Sequence, residues 1–359
     1  MSAVNASIRA NRAPTAFASR AKRAAWGAGR GVVLLATLAI LLGLFRWPEA
    51  TLSLLWNLLI PILPASFFIT PQFWRGLCPL ATVNQWVGGR FRQAHAGGKM
   101  LAAANLLGIV LLVVMVATRR LVFNEYGAVL AITILLVIVA AALLGALFSV
   151  RAGFCNSICP VLPVERIYGQ HPLVRLDNQR CHPCTHCVVK GCLEVDQPKS
   201  ILYAVRNSGG KYGWLATPYG ILATSLPGFI VGYFTQNDVS WSAAGAVWDA
   251  VGVYLWIAGS SLVSCLAAMI VVRALRLDAV FSLTLLAAGA GALYYWWAAP
   301  LIVGALQLPP FAAWPLRGLI YLLLIVWLVR ATANLPHRVL ADNHNGHSCE
   351  GAVPRAGEV

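Results

Sequence analysis

Four cysteines fall within the run CHPCTHCVVKGC, where Cys181, Cys184, Cys187 and Cys192 have the spacing C-x2-C-x2-C-x4-C. Thiolates so spaced can wrap a cuboidal [4Fe–4S] cluster, because each two-residue gap turns the next sulfur inward around one centre. Zinc is the rival occupant. Structural zinc sites pair their ligands across a longer intervening segment, which this run lacks, but His182 and His186 could substitute as ligands. A disulfide set fits poorly with a segment facing the cytoplasm, where thiols stay reduced.

A second pattern lies upstream. RAGFCNSICP places Cys155 and Cys159 four residues apart, with Pro160 following. On a helix such a pair shares one face, so both thiols could grip one metal or form a redox pair. FWRGLCPL carries a partial copy in which Cys78 precedes Pro79, while Trp74 stands where the upstream cysteine would be. A buried thiol is also a good small hydrophobe, and that is the plain account of Cys265, inside an apolar run.

The four-cysteine run resembles bacterial-type ferredoxins, whose pattern is C-x2-C-x2-C-x3-C-P. It departs from them in its final x4 spacing and in having Leu193 where the proline would be. With one such run present, Cys192 is the expected fourth ligand of the same cluster; Cys159, which has the following proline, is the other candidate. Together with the C-x3-C-P motif, the run is similar to the NapH/NosR-like group of membrane-bound ferredoxin-type proteins, over about residues 50–200. The resemblance implies an electron-transfer role linked to quinol, or a part in maturation, beside a redox protein partner. It implies that Cys78, Cys155 and Cys159 belong to the electron path or to cluster assembly.

The elements that must position these thiols are membrane spans. Of 359 residues, 59% are hydrophobic and 11% charged, against roughly 45–50% and about 25% in an ordinary soluble domain. A span needs about 20 apolar residues, and eight candidates emerge: 26–45, 50–70, 100–118, 127–149, 213–235, 245–272, 279–306 and 314–330. The expected fold is therefore an all-α polytopic membrane protein, with a small ferredoxin-like cytoplasmic insertion between spans four and five. Its organisation reads as a basic arm (1–25), a first membrane half (26–149), an iron–sulfur loop domain (150–212), a second half (213–330) and a tail (331–359).

Charge sets the orientation. All but four of the 27 Lys and Arg fall on the side of the N-terminus, the four being Arg46, Arg119, Arg120 and Arg317. By the positive-inside rule that side is the cytoplasm, which puts both termini inside and the protein in a bacterial inner membrane. The net charge of +15 thus reflects topology; no basic face interleaved with aromatics suggests a nucleic acid. Trp241, Trp248, Trp296, Trp297 and Trp314 cluster at outer span ends as interfacial anchors.

The spans exclude several functions. They hold no mid-membrane acid of the kind that marks a proton pathway, since Glu49, Glu125 and Asp249 fall near the outer interface. All seven histidines fall in loops or termini, which leaves no axial pair for a transmembrane haem. His344, His347 and Cys349 read as part of a polar tail. The resulting expectation is a membrane-bound iron–sulfur electron carrier without a substrate-specific active site. Its alternatives are a metal-handling or assembly factor acting through Cys78, Cys155 and Cys159, and a scaffold with a structural zinc.

Overall fold

The computed structural model describes residues 20–88, 91, 94, 98–148, 153–174, 201, 205, 208–241 and 245–333. Among these the chain is helical without a strand, apart from one bridge between Ala94 and Phe148. Helices α1 (Arg20–Arg46) and α2 (Pro48–Ile69) form the first pair. Two short helices, α3 (Pro71–Leu77) and α4 (Pro79–Gly88), precede α5 (Gly98–Thr118) and α6 (Gly127–Leu147). The short α7 (Leu162–Tyr168) follows, then α8 (Pro218–Phe234), α9 (Ala246–Ala274), α10 (Ala279–Ala305) and α11 (Ala313–Ala333).

Among the described residues, seven helices are long and apolar enough to cross a membrane: α1, α2, α5, α6, α9, α10 and α11. The protein is a multi-pass membrane protein on that ground. Leu35, Leu42, Leu143, Leu262, Ile270 and Leu322 stand exposed on these helices, an arrangement that suits hydrocarbon as the solvent, with backbone polar groups satisfied within each helix.

The expected fifth span, 213–235, is the exception. Its helix, α8, has 17 residues, which at 1.5 Å each gives a rod of about 25 Å. Pro218 sets its start, and the Thr217 hydroxyl caps it by accepting from the Gly220 N–H at 3.1 Å. Residues Gly213–Ala216 form a 3-10 turn instead. This helix is sheathed by protein, with Leu222, Ala223, Thr224, Leu226, Phe229 and Ile230 all buried. A helix apolar on every side belongs in such a position. A Cβ at Gly228 would strike the Ser260 carbonyl of α9, so the two helices meet backbone to backbone, as small residues permit in membranes.

The two membrane halves are joined through the backbone of α2. A π-helical turn at Leu55–Leu59 and the prolines Pro61 and Pro64 disturb that helix. The Tyr295 hydroxyl of α10 inserts there: it donates to the Pro61 carbonyl at 2.7 Å and accepts from the Ala65 N–H at 2.8 Å. Those two backbone groups are an i, i+4 pair, so a side chain from the second half completes the ladder of the first. Tyr295→Phe should lower the unfolding midpoint in detergent by the equivalent of about 1–3 kcal/mol. An unchanged midpoint would show that Ala65 and Pro61 can bond directly.

Candidate functional site: three thiols around a buried ion pair

Cys78 occupies the break between α3 and α4. Pro79 opens α4 and disfavours helical backbone at the residue before it, and Cys78 accordingly has φ −51° and ψ 127° while its N–H still bonds the Trp74 carbonyl at 2.8 Å. Cys155 and Cys159 do not share a helical face. Cys155 lies in the 3-10 turn Phe154–Asn156, and Cys159 lies beyond a turn whose Ser157 has φ −120° and ψ −87°. Extended backbone at Gly153 and the proline after Cys159 prevent a continuous helix here. The Cys159 N–H closes the loop on the Phe154 carbonyl at 3.1 Å.

This compact loop nonetheless brings the two thiols together, and Cys78 joins them. Cys155 interacts electrostatically with both Cys159 and Cys78, and Cys159 with Cys78. The two C-P motifs, separate in sequence, form one group in space. All three are free thiols. Among the described residues no set of three Cys, His, Asp or Glu side chains is arranged to hold a metal ion, so the trio is a cluster of thiols and not a preformed ligand set.

Beside the thiols lies a buried ion pair that sequence reasoning missed. The Arg75 guanidinium of α3 bonds the Glu165 carboxylate of α7 through Nε, their side chains only 10% and 5% exposed. Arg75 also donates through Nη1 to Asn156 Oδ1 at 3.0 Å, inside the Cys155–Cys159 loop. The pair therefore ties both C-P segments to each other. Arg75 had counted only as a loop charge for topology. A lone acid in the apolar stretch VLPVERIY was the available signal, since a buried carboxylate needs a partner.

The site is sunk among the helices. A Cβ at Gly108 would press on the Ile158 and Cys159 backbone, and Gly108 lies about 15 Å along α5 from its start. Around α7, Gln170 donates to the Leu283 carbonyl of α10 at 3.1 Å, and the Leu173 N–H donates to the Phe68 carbonyl of α2 at 3.0 Å. Residues 153–174, the opening stretch of the expected loop domain, thus pack between helices. Burial pushes all three thiols up: Cys78 above its ordinary value of 9.0, Cys155 well above it, and Cys159 to about 12, with neighbouring thiols adding to the rise of the last two. They are protonated at neutral pH.

Cys181, Cys184, Cys187 and Cys192, with His182 and His186, lie outside the described residues, as do His344, His347 and Cys349. The chain on either side of the four-cysteine run is anchored at the helix ends that carry the basic loops. The Val174 N–H donates to the Ile69 carbonyl at the end of α2 at 2.8 Å, and Lys211 Nζ to the Arg276 carbonyl just past α9 at 3.0 Å. Cys265 is buried in α9, its sulfur 3.2 Å from the Thr224 hydroxyl. No family model, curated protein or solved structure matches this chain.

Removing one member of a buried pair strands the other charge. Arg75→Leu should destabilise the protein by about 3–5 kcal/mol, and Arg75→Leu/Glu165→Leu should recover most of that loss; denaturant titration in detergent measures both. The thiols carry a pH prediction. Folded Cys159 holds its proton more tightly than the unfolded residue, so its contribution to stability is complete below about pH 9 and is lost as pH rises toward 12. In chelator-treated protein the unfolding midpoint should fall over that range, less steeply in Cys159→Ser.

Proposed function

We propose that this chain is a membrane-bound iron–sulfur electron-transfer protein of a bacterial inner membrane, in which the 17-residue α8 crosses beside the seven longer helices and both termini lie in the cytoplasm. The observation that carries the proposal is the four-cysteine spacing of Cys181, Cys184, Cys187 and Cys192. Its support from the fold is that the chain flanking this run is held at the same side of the bundle as Cys78, Cys155 and Cys159. The resemblance to the NapH/NosR-like ferredoxin-type proteins points the same way. It suggests quinol or a cytoplasmic donor on one side of the transfer and a redox protein, or its maturation, on the other. The cluster would supply single-electron exchange, with these four cysteines as its ligands. Cys159 is half-buried, with its backbone packed beside Gly108, and Cys192 is the proposed fourth ligand.

A second reading draws on the convergence of the thiols. In it, Cys78, Cys155 and Cys159 serve a metal-handling or cofactor-assembly factor, and rearrange around an ion when it arrives. A structural zinc at the four-cysteine run is the third reading.

Anaerobically purified protein should be brown, with broad absorbance near about 400 nm that bleaches with dithionite. Cys192→Ser should abolish that colour and Cys159→Ser should keep it; the reverse result would transfer the fourth ligand to Cys159. Colourless protein with stoichiometric zinc would end the electron-transfer proposal. Copper or iron retained by a variant lacking the four cysteines of the run would favour the metal-handling reading.

A further inference from the structure

The face opposite the thiols carries a separate polar cluster. Basic residues are scarce on that side, yet Arg119 and Arg120 stand adjacent there, in a π-helical turn Arg119–Phe123 that continues α5. The two arginines have different partners. Arg120 pairs with Asp238 at 2.9 Å and donates to the Tyr233 carbonyl at 3.3 Å, and Asn124 bonds the same carboxylate at 2.8 Å. Arg119 donates through Nε to Asn124 Oδ1 at 2.7 Å and, among the described residues, has no carboxylate in ion-pair contact. Its guanidinium stacks 4.4 Å from the centre of the Trp56 ring and 5.7 Å from that of Tyr233.

A phenol completes the cluster. Tyr233, on α8, is 4% exposed, and its buried hydroxyl has no hydrogen-bond partner among the described residues. Tyr294, on α10, lies near it, its ring 5.8 Å edge-on from that of the adjoining Phe234. Asp238 is half exposed and already shared between Arg120 and Asn124. The cluster thus retains one net positive charge, Nη donors on Arg119 and a buried O–H donor, beside the rings of Trp56 and Tyr233. A half-buried cation beside an unused buried donor is costly unless an acceptor with negative charge completes it.

We infer that Arg119 and Tyr233, backed by Trp56, form a binding site for a phosphate-type oxyanion at the face of the membrane opposite the thiol cluster. Guanidinium geometry suits phosphate oxygens, which accept in a fork, and the Tyr233 hydroxyl supplies a further donor. The same chemistry could come from a phospholipid headgroup or from a free oxyanion. The inference is independent of the iron–sulfur proposal, because none of its residues contacts the thiol site.

The test is thermal unfolding of the full chain in detergent at constant ionic strength. One arm replaces chloride with inorganic phosphate, and the other adds phosphatidylglycerol to the micelles. A rise in midpoint is expected in the wild type and in Arg317→Gln, a control for general charge on the same face, with apparent affinity at least tenfold weaker in Arg119→Gln. A response to lipid alone identifies a headgroup as the occupant, and a response to phosphate alone identifies a free oxyanion. No response in either arm, or an Arg119→Gln response equal to wild type, overturns the inference. If Arg119→Gln does not fold, Tyr233→Phe decides: a three- to tenfold weaker response supports the site and an unchanged one overturns it.

Discussion

Irregular backbone can lie at membrane depth only where protein surrounds it, because hydrocarbon offers no partner for an N–H or a carbonyl. The stretch from Gly153 to Val174 is held to that condition. Its 3-10 turn closes on itself through Phe154, its far end bonds the carbonyls of Phe68 and Ile69, and Gln170 reaches the Leu283 carbonyl. Gly108 gives it room against α5. Remove any of these and buried polar groups lose their partners, which explains why so much of the fold converges on a short segment without a long helix of its own.

The chemistry of the thiols follows from that enclosure. In a dry setting a lone thiolate is disfavoured, so Cys78, Cys155 and Cys159 stay neutral while the adjacent charges exist only as a pair, Arg75 with Glu165. A positive metal centre or a change of redox state would alter this balance at once. The pair also gives the site rigidity, since it fastens α3 to α7 and, through Asn156, to the cysteine loop.

The spans were legible because each is a local sum, a run of apolar residues. Seven expected spans coincide with helices of the right length. The fifth was shorter than expected because Pro218 and the Thr217 cap fix its start within the run. Cys78 looked like half a motif. Its partners lie in the other C-P segment, and hydropathy cannot report a contact between two segments that both read as loops. The shared helical face expected for Cys155 and Cys159 failed for a reason visible in the sequence, Gly153 and Pro160 flanking the pair. The ion pair was hidden because Arg75 reads as one more loop cation and Glu165 lies 90 residues further along the chain.

The Tyr295 hydroxyl within the backbone of α2 bears on how the chain is made. Synthesis proceeds from the N-terminus, so α2 enters the bilayer long before α10 exists. Until then Pro61 and Ala65 lack the group that bridges them in the finished protein. The early helix is a provisional one, free to bend or to close its own bond, and it takes its final course when a residue more than two hundred positions later docks. Maturation of the first half is thereby timed by the arrival of the second, and a truncated chain would carry an unfinished α2.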